Sequence, residues 1–378
     1  MYLIPQRFIA WRARRIKDPV ARLRYLREST AIRLTLLPGR TWKAVALMAA
    51  LSCFFLPRFK ASNANNVPVV PAAKHVAASP DAGRDVWLVE HTGSFETYSN
   101  GLRIDDRYAV TNRPRQSFPV FRQFASQFTP QDFRSDPVGI VFHTTESDQA
   151  SFEEAQNAAL KRIGHEVLSY VRANRSYHFL IDRFGQVFRI VEESDIANHA
   201  GSSVWADGDD IYVNLNASFL GVAFETQTRA GELASANPAQ IHAARVLTEM
   251  LRRKYHIQPG NCVTHAQVSV NPGNMLVGYH TDWAGNFPFQ EIGLADNYTA
   301  PIAAILVFGF DYNQIFVHAT GWRLWRGLSL AEDRLRAAAE SRGLSLSLYR
   351  ALLRKRYKDI ITTLDPEKDQ STEVRHGI

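Results

Sequence analysis

The chain has 378 residues, which at roughly 150 per domain allows two to three units and one sizeable buried core. Apolar residues make up 46% and charged residues 21%, a balance that excludes wholesale disorder. The two cysteines, Cys53 and Cys262, cannot build a disulfide framework, a CxxC redox pair or a four-thiolate zinc site, so any metal must be held by nitrogen and oxygen. The net charge of +7 is concentrated at one end: residues 1–43 hold eleven Lys/Arg against Asp18 and Glu28, a balance of +9 that leaves −2 for the rest. The rest of the chain is not basic, and no nucleic-acid partner is expected.

Behind that basic segment, Ala44 to Pro57 is an uncharged run of 14 residues between Lys43 and Arg58. As a helix it spans about 21 Å, short for a bilayer core of roughly 30 Å and typical of a signal-peptide apolar region. Trp42, Phe59 and the snorkelling Lys43, Arg58 and Lys60 can extend it into an uncleaved anchor over residues 44–60. Ser62-Asn63-Ala64 is a cleavage candidate beyond two basic residues, and Cys53 follows a poor lipobox, Ala50-Leu51-Ser52. Anchor and cleaved signal both place the basic end in the cytoplasm and export the remainder of the chain. The expected location is the cell envelope: membrane-anchored through this segment and facing the periplasm, or released there. Residues 61–84, rich in Ala, Ser, Asn, Pro and Val, read as a linker.

Regular patterning begins near Asp85. A lead-in over 85–136 holds candidate strands at Trp87–Glu90 and Tyr108–Thr111. Val138 to His143 is a continuous apolar run of the buried-strand type. Ser151-x-x-Glu154 reads as a capping box for a helix whose apolar face is Phe152, Ala155, Ala159, Ile163, Val167 and Val171. Tyr177–Ile181 and Gln186–Val191 form a hairpin about Asp182-Arg-Phe-Gly185, and Leu220–Thr226 is a further strand. Asn237-Pro238 opens a helix with Ile241, Ala244, Leu247 and Leu251 inward, before a short strand Cys262–His265. Strands alternating with helices predict an α/β fold, a mixed central β-sheet flanked by helices.

His143 and His265 each close a short strand. Downstream, Gly278-Tyr-His-Thr-Asp-Trp-Ala-Gly285 places His280 and Asp282 on one side of an extended segment, so that one can ligate while the other faces a ligated substrate. Two imidazoles and one carboxylate leave the fourth tetrahedral position open, as in a catalytic rather than a structural zinc site.

These residues resemble the zinc-dependent N-acetylmuramoyl-L-alanine amidases of the bacteriophage-lysozyme and peptidoglycan-recognition-protein type, over Pro137 to Phe289. Carrying the resemblance are Val141-Phe-His143-Thr-Thr, Ser176-Tyr177-His178-Phe-Leu-Ile-Asp-Arg-Phe-Gly185, Asn198-His199-Ala-Gly201, Asn216 ahead of Phe219-Leu-Gly221, and His265 followed by His280-Thr-Asp282. It implies an amidase domain over 137–295 and one catalytic Zn2+ on His143, His265 and Asp282. Tyr177 and His280 are implied as the catalytic donors, and His199 and Asn216 as substrate-binding residues. Peptidoglycan or muropeptides are the implied partners. His178, on the opposite face from Tyr177, reads as core.

The chain also departs from that pattern. The separation of His265 from Asp282 exceeds the family's usual one, and an alternative alignment on Pro272-Gly273 puts Asn271 at the third ligand position. His280 stands where the family has lysine, a neutral donor in place of a fixed cation. Ala223 stands where the cytoplasmic branch has its catalytic Glu; Glu225, two residues on, is either a substitute base or a carboxylate of no catalytic role. Residues 296–378 lie outside the resemblance, with an apolar run Ile302–Phe310, a capping box Ser329-x-x-Glu332 and two helices about Gly343. Three function classes remain: a zinc amidase, a noncatalytic wall-recognition module and an envelope-tethering scaffold.

Overall fold

The strand that carries the first histidine of interest is β6 (Gly139–Thr144), whose six residues are all buried. It lies parallel between β11 (Phe219–Phe224) and β12 (Cys262–Thr264), with His143 beside Ala223 and Phe142 beside Thr264. Its unbroken apolar run is what a parallel strand covered on both faces requires. The computed structural model describes residues 85–123, 129–228 and 233–364. The basic segment 1–43, the apolar run 44–60 with Cys53, and the linker 61–84 lie outside the described residues. No helix among the described residues is long and apolar enough to cross a membrane.

The predicted hairpin forms as β7 (Phe179–Ile181) and β8 (Val187–Arg189), with the Asp182 carboxylate accepting the N–H of Phe184 and of Gln186. The lead-in contributes β1 (Leu88–His91), β2 (Phe95–Tyr98) and β3 (Arg103–Asp105), an antiparallel meander whose last strand runs parallel to β8. The sheet therefore has the order β1-β2-β3-β8-β7-β11-β6-β12. The strand expected at Tyr108–Thr111 shrinks to one bridge, Val110 to Val191. There the chain is held by other means: Asn112 gives its backbone N–H to Asp195 and its side-chain amide to Ile196 O.

Helix α1 (Asn157–Ala173) and helix α2 (Pro238–Tyr255) cover opposite faces. Ile163, Val167 and Val171 pack with Leu180 and Ala223, whereas Ala244, Leu247 and Leu251 pack with Phe142, Phe179 and Phe224. Asn237 and Gln240 form a complete capping box with Pro238 in the first turn of α2. The Ser151 box does not form. A 3-10 turn, Glu154–Gln156, intervenes, and α1 starts at Asn157 without a side-chain cap. Phe152 leaves the apolar stripe because its ring lies 4.2 Å under the Arg183 guanidinium and edge-on to Phe184.

A second, antiparallel sheet, unforeseen in the sequence, has the order β5-β4-β10-β9, from β4 (Phe118–Arg122), β5 (Asp132–Arg134), β9 (Val204–Asp207) and β10 (Asp210–Val213). The C-terminal region is helical: α4 (Ala303–Phe308), α5 (Gln314–Ala319), α6 (Arg326–Glu340) and α7 (Leu346–Leu364) come after a one-turn α3 (His265–Val268). These helices share an apolar cluster with the second sheet, in which Phe121, Ile211 and Val213 meet Ile305, Phe308, Phe310, Leu328 and Tyr357. Ser329 and Glu332 lie inside α6 rather than at its start, since Trp325 occupies the N-cap. Glu332 instead takes a bidentate bond from Arg350 of α7, 2.6 Å to each oxygen.

One buried ionic cluster joins the lead-in to the sheet. The Arg189 guanidinium, 4% exposed, is paired with Glu96, Asp106 and Glu193, and Glu193 is also held by Lys254.

Candidate metal centre and active site

His143 is the last but one residue of β6, on the α1 side of the sheet, and the chain after β12 turns directly into α3, so that His265 stands at the adjacent strand end. The turn is fixed by a capping box in which Gln267 returns a side-chain oxygen to the Thr264 N–H at 2.8 Å. Residues 266–281 then fold out through the hairpin β13 (Val270–Asn271) and β14 (Leu276–Val277). The chain returns with Asp282. One carboxylate oxygen lies 2.9 Å from His265 Nδ1 and the other 3.1 Å from His143 Nδ1. Asn271 stays in the hairpin, its side chain accepting the Gly273 N–H, which removes it as the third ligand.

The three donor atoms lie within 4.8 Å of one another and all three residues are buried. Burial raises the pKa of the Asp282 carboxyl, but the two imidazoles outweigh it and hold the group well below the usual carboxylate range. Burial, reinforced by His265, pushes His143 down to about 4, so its ring is neutral at pH 7. Its tautomer is set by His199. The Phe219 carbonyl can only accept, so His199 Nε2, 3.2 Å away, carries the proton. His199 Nδ1 is then an acceptor, and His143 Nε2 donates to it at 3.2 Å. That leaves the His143 Nδ1 lone pair aimed at the carboxylate. Two acceptors facing each other at 3.1 Å are relieved by a cation between them, and the set of two nitrogens and one oxygen suits zinc.

Tyr177 has φ +63, in the left-handed region where non-glycine residues are strained. This conformation sets its ring 4.9 Å from that of His143, centroid to centroid. Burial, and then the Asp282 charge, raise its hydroxyl pKa, so it keeps its proton and serves as a donor. His280, solvent-exposed, stacks on His265 with ring centroids 4.7 Å apart and 16° between planes. Partial burial and His265 lower its pKa, which keeps it neutral at pH 7.

His199 and Asn216, expected to bind substrate, are both engaged with neighbouring groups of the protein. The His199 ring has both nitrogens engaged behind His143 and lies against Gly221, where a Cβ would come within 2.7 Å of it. Asn216 accepts the N–H of His199 at 2.9 Å and of Ala200 at 2.6 Å, clamping that loop. His199 thus backs His143 directly, and Asn216 holds the loop that carries His199. His178 is a core residue: fully buried, it accepts the Gly221 N–H at 2.9 Å, and burial next to Arg115 takes its pKa down to about 3. Glu225 accepts the Arg183 N–H at 3.3 Å in the hairpin turn and lies under Gly164 of α1.

Trp283, read from the sequence as packing, also links two ligands: its indole N–H donates to His143 O at 2.9 Å. A cleft of about 220 Å³ between α1 and the loop after β6 ends at Tyr177, lined by Thr145, Ser147, Glu166, Val167 and Tyr170 among others. A larger cavity, about 500 Å³, opens between β2–β3 and α2; His143, His265 and Asp282 line neither, and Tyr177 connects only the smaller cleft to them.

Residues 133–282 match the family described as N-acetylmuramoyl-L-alanine amidase, and this segment is a domain of that family. The N-acetylmuramoyl-L-alanine amidase AmiD of Escherichia coli (strain K12) is 34% identical over 89 residues, 22% of this chain and 31% of that protein. The chain thus spans about a third of the length of the curated relative it matches. Among solved structures, the complex of AmiD from E. coli with the substrate anhydro-N-acetylmuramic acid-L-Ala-D-gamma-Glu-L-Lys is 19% identical, with a TM-score of 0.37, over 65% of this chain and 98% of that one. The amidase LysC from Clostridium intestinale URNW is 23% identical, with a TM-score of 0.26, over 49% of this chain and 93% of that one.

Proposed function

We propose that the protein is a zinc-dependent peptidoglycan amidase that hydrolyses the amide between N-acetylmuramic acid and the L-alanine of the stem peptide. The observation that carries this reading is the meeting of His143, His265 and Asp282 at one point beside Tyr177, within a segment of the amidase family. Zinc held by this trio would supply Lewis acidity, polarising the scissile carbonyl and making water a nucleophile at neutral pH.

The chain's own residues do the rest. His199 fixes the His143 tautomer. Tyr177, protonated and held by its strained backbone, donates to the carbonyl oxygen as negative charge builds there. His280, neutral and open to solvent, accepts the proton given up by the attacking water and passes it to the leaving alanine nitrogen. The cleft along α1 receives the stem peptide. The apolar run 44–60 would anchor the chain in the membrane or direct its export, placing this chemistry on the wall side of the envelope.

The test is mass spectrometry of purified sacculi incubated with the full-length protein, with and without a chelator. Free stem peptides that disappear on chelation support the amidase. Intact muropeptides under both conditions would leave a wall-recognition module.

A further inference from the structure

The segment that carries Asp282 is enclosed by the C-terminal region on both sides. Before the ligand, Val277 N–H donates to Asp311 O at 2.8 Å and Asp311 N–H to Met275 O at 2.9 Å, so residue 311 extends the β13–β14 hairpin. Gly278 meets the Phe316 ring of α5 so closely that a Cβ would lie 2.0 Å from it. After the ligand, the Tyr298 hydroxyl donates to Trp283 O at 2.7 Å and the Trp325 indole N–H to Ala284 O at 2.8 Å. Trp325 is 7% exposed and its ring contacts both Tyr298 and Phe316. Four anchors from residues 298–325 thus bracket the ligand, in addition to the bonds of its own excursion, in which Gly278 N–H donates to Ser269 O at 2.8 Å, His280 N–H to Ser269 Oγ at 2.9 Å and Ala266 N–H to Asp282 O at 3.2 Å.

We propose that the C-terminal region is a positioning element for the third metal ligand, with Trp325 as its principal positioning residue. This rests on the metal-site reading. The indole N–H and the Tyr298 hydroxyl hold the carbonyls of the two residues directly after Asp282. They fix the backbone that aims the carboxylate, as hydrogen bonds behind a ligand fix its orientation. None of these residues touches the reacting atoms.

The experiment measures Zn2+ affinity of the full-length protein by competition with a chromophoric chelator, together with the melting temperature of the metal-free form. The variants are Trp325→Phe, Tyr298→Phe and Ile360→Ala. The first two keep an aromatic ring and remove a donor. Ile360 belongs to the same apolar cluster but sits on α7, which packs on α4 and α6. Trp325→Phe is expected to weaken zinc binding roughly tenfold, and Tyr298→Phe in the same direction. Ile360→Ala should lower the melting temperature more while leaving affinity unchanged. Affinity that falls in all three variants in step with melting temperature would reduce the region to general stabilisation and overturn the proposal. So would unchanged affinity in both donor variants. A wild-type protein that takes up no zinc would instead overturn the metal-site reading itself.

Discussion

His199 Nδ1 lies 3.2 Å from His143 Nε2, and the other nitrogen of His199 is committed to the Phe219 carbonyl. A ring with no place in the ligand set therefore decides which nitrogen of the first ligand is free. Replacing His199 by Ala removes the acceptor and lets His143 change tautomer. Zinc affinity should fall roughly 10- to 100-fold, measured by chelator competition, whereas His199→Asn, which keeps an acceptor oxygen, should recover part of the loss.

His143→Ala, His265→Ala and Asp282→Ala should each abolish stem-peptide release and lower bound zinc well below one equivalent, read by elemental analysis. Asp282→Asn keeps shape but removes the charge. It should bind zinc weakly too, because a neutral amide is a poor ligand. A variant that retains both metal and activity would remove that residue from the site.

Tyr177→Phe should keep full zinc content and lose on the order of 100-fold in kcat, the usual cost of one donor to a developing oxyanion. His280→Ala should behave similarly with a smaller loss. Steady-state rates on a defined muropeptide, with zinc quantified in the same samples, separate rate from metal loss.

Acid should destabilise the metal-free protein through its buried imidazoles. His143 and His178 have folded pKa values of about 4 and about 3, and burial also takes His199 well below its ordinary value. In the unfolded chain these rings take up protons below about pH 6.5. Above that pH they leave stability unchanged. Below it the unfolded state binds more protons, so stability falls as pH drops toward 4, by on the order of 2 kcal/mol per ring at pH 5. Melting curves of chelated protein from pH 8 to 4 check this; a flat profile would contradict it.

Glu225 carries the opposite sign. Burial raises its carboxyl to about 7, so its charged form weighs against folding as pH rises from about 4.5 through 7. Glu225→Gln should melt higher than wild type at pH 8 and at the same temperature at pH 4.5. Because its carboxylate engages Arg183 N–H and faces Gly164, the same variant should keep amidase activity within a few-fold.

Much of the central sheet was legible. β6, β11 and the β7–β8 hairpin are apolar runs bounded by turn residues, and Asn237-Pro238 marks the start of α2. The second sheet was not: Pro119 interrupts the pattern of β4, and β9 and β10 are short and carry acidic residues. Asp207-Gly208 was a turn signal that could have exposed their hairpin. His143 and His265 could be read because each follows an apolar run; Asp282 was found through the family resemblance, since the segment from His280 to Asp282 forms bends and a turn rather than the extended stretch expected. The work of His199 could not be read, since its partner beyond His143 is a backbone carbonyl. Trp325 was equally silent: its bond spans 41 positions to Ala284, and no local pattern encodes such a contact.

Two of the four carboxylates facing Arg189, those of Glu96 and Asp106, come from the lead-in. A fragment trimmed to the amidase-family segment 133–282 would keep the guanidinium with Glu193 and Glu192 but discard the other two counter-charges, and removing partners from a buried ionic cluster is destabilising. The borders of recognisable kinship are thus narrower than those of the folding unit, and inheritance of the chemistry alone would not bring a self-sufficient protein with it.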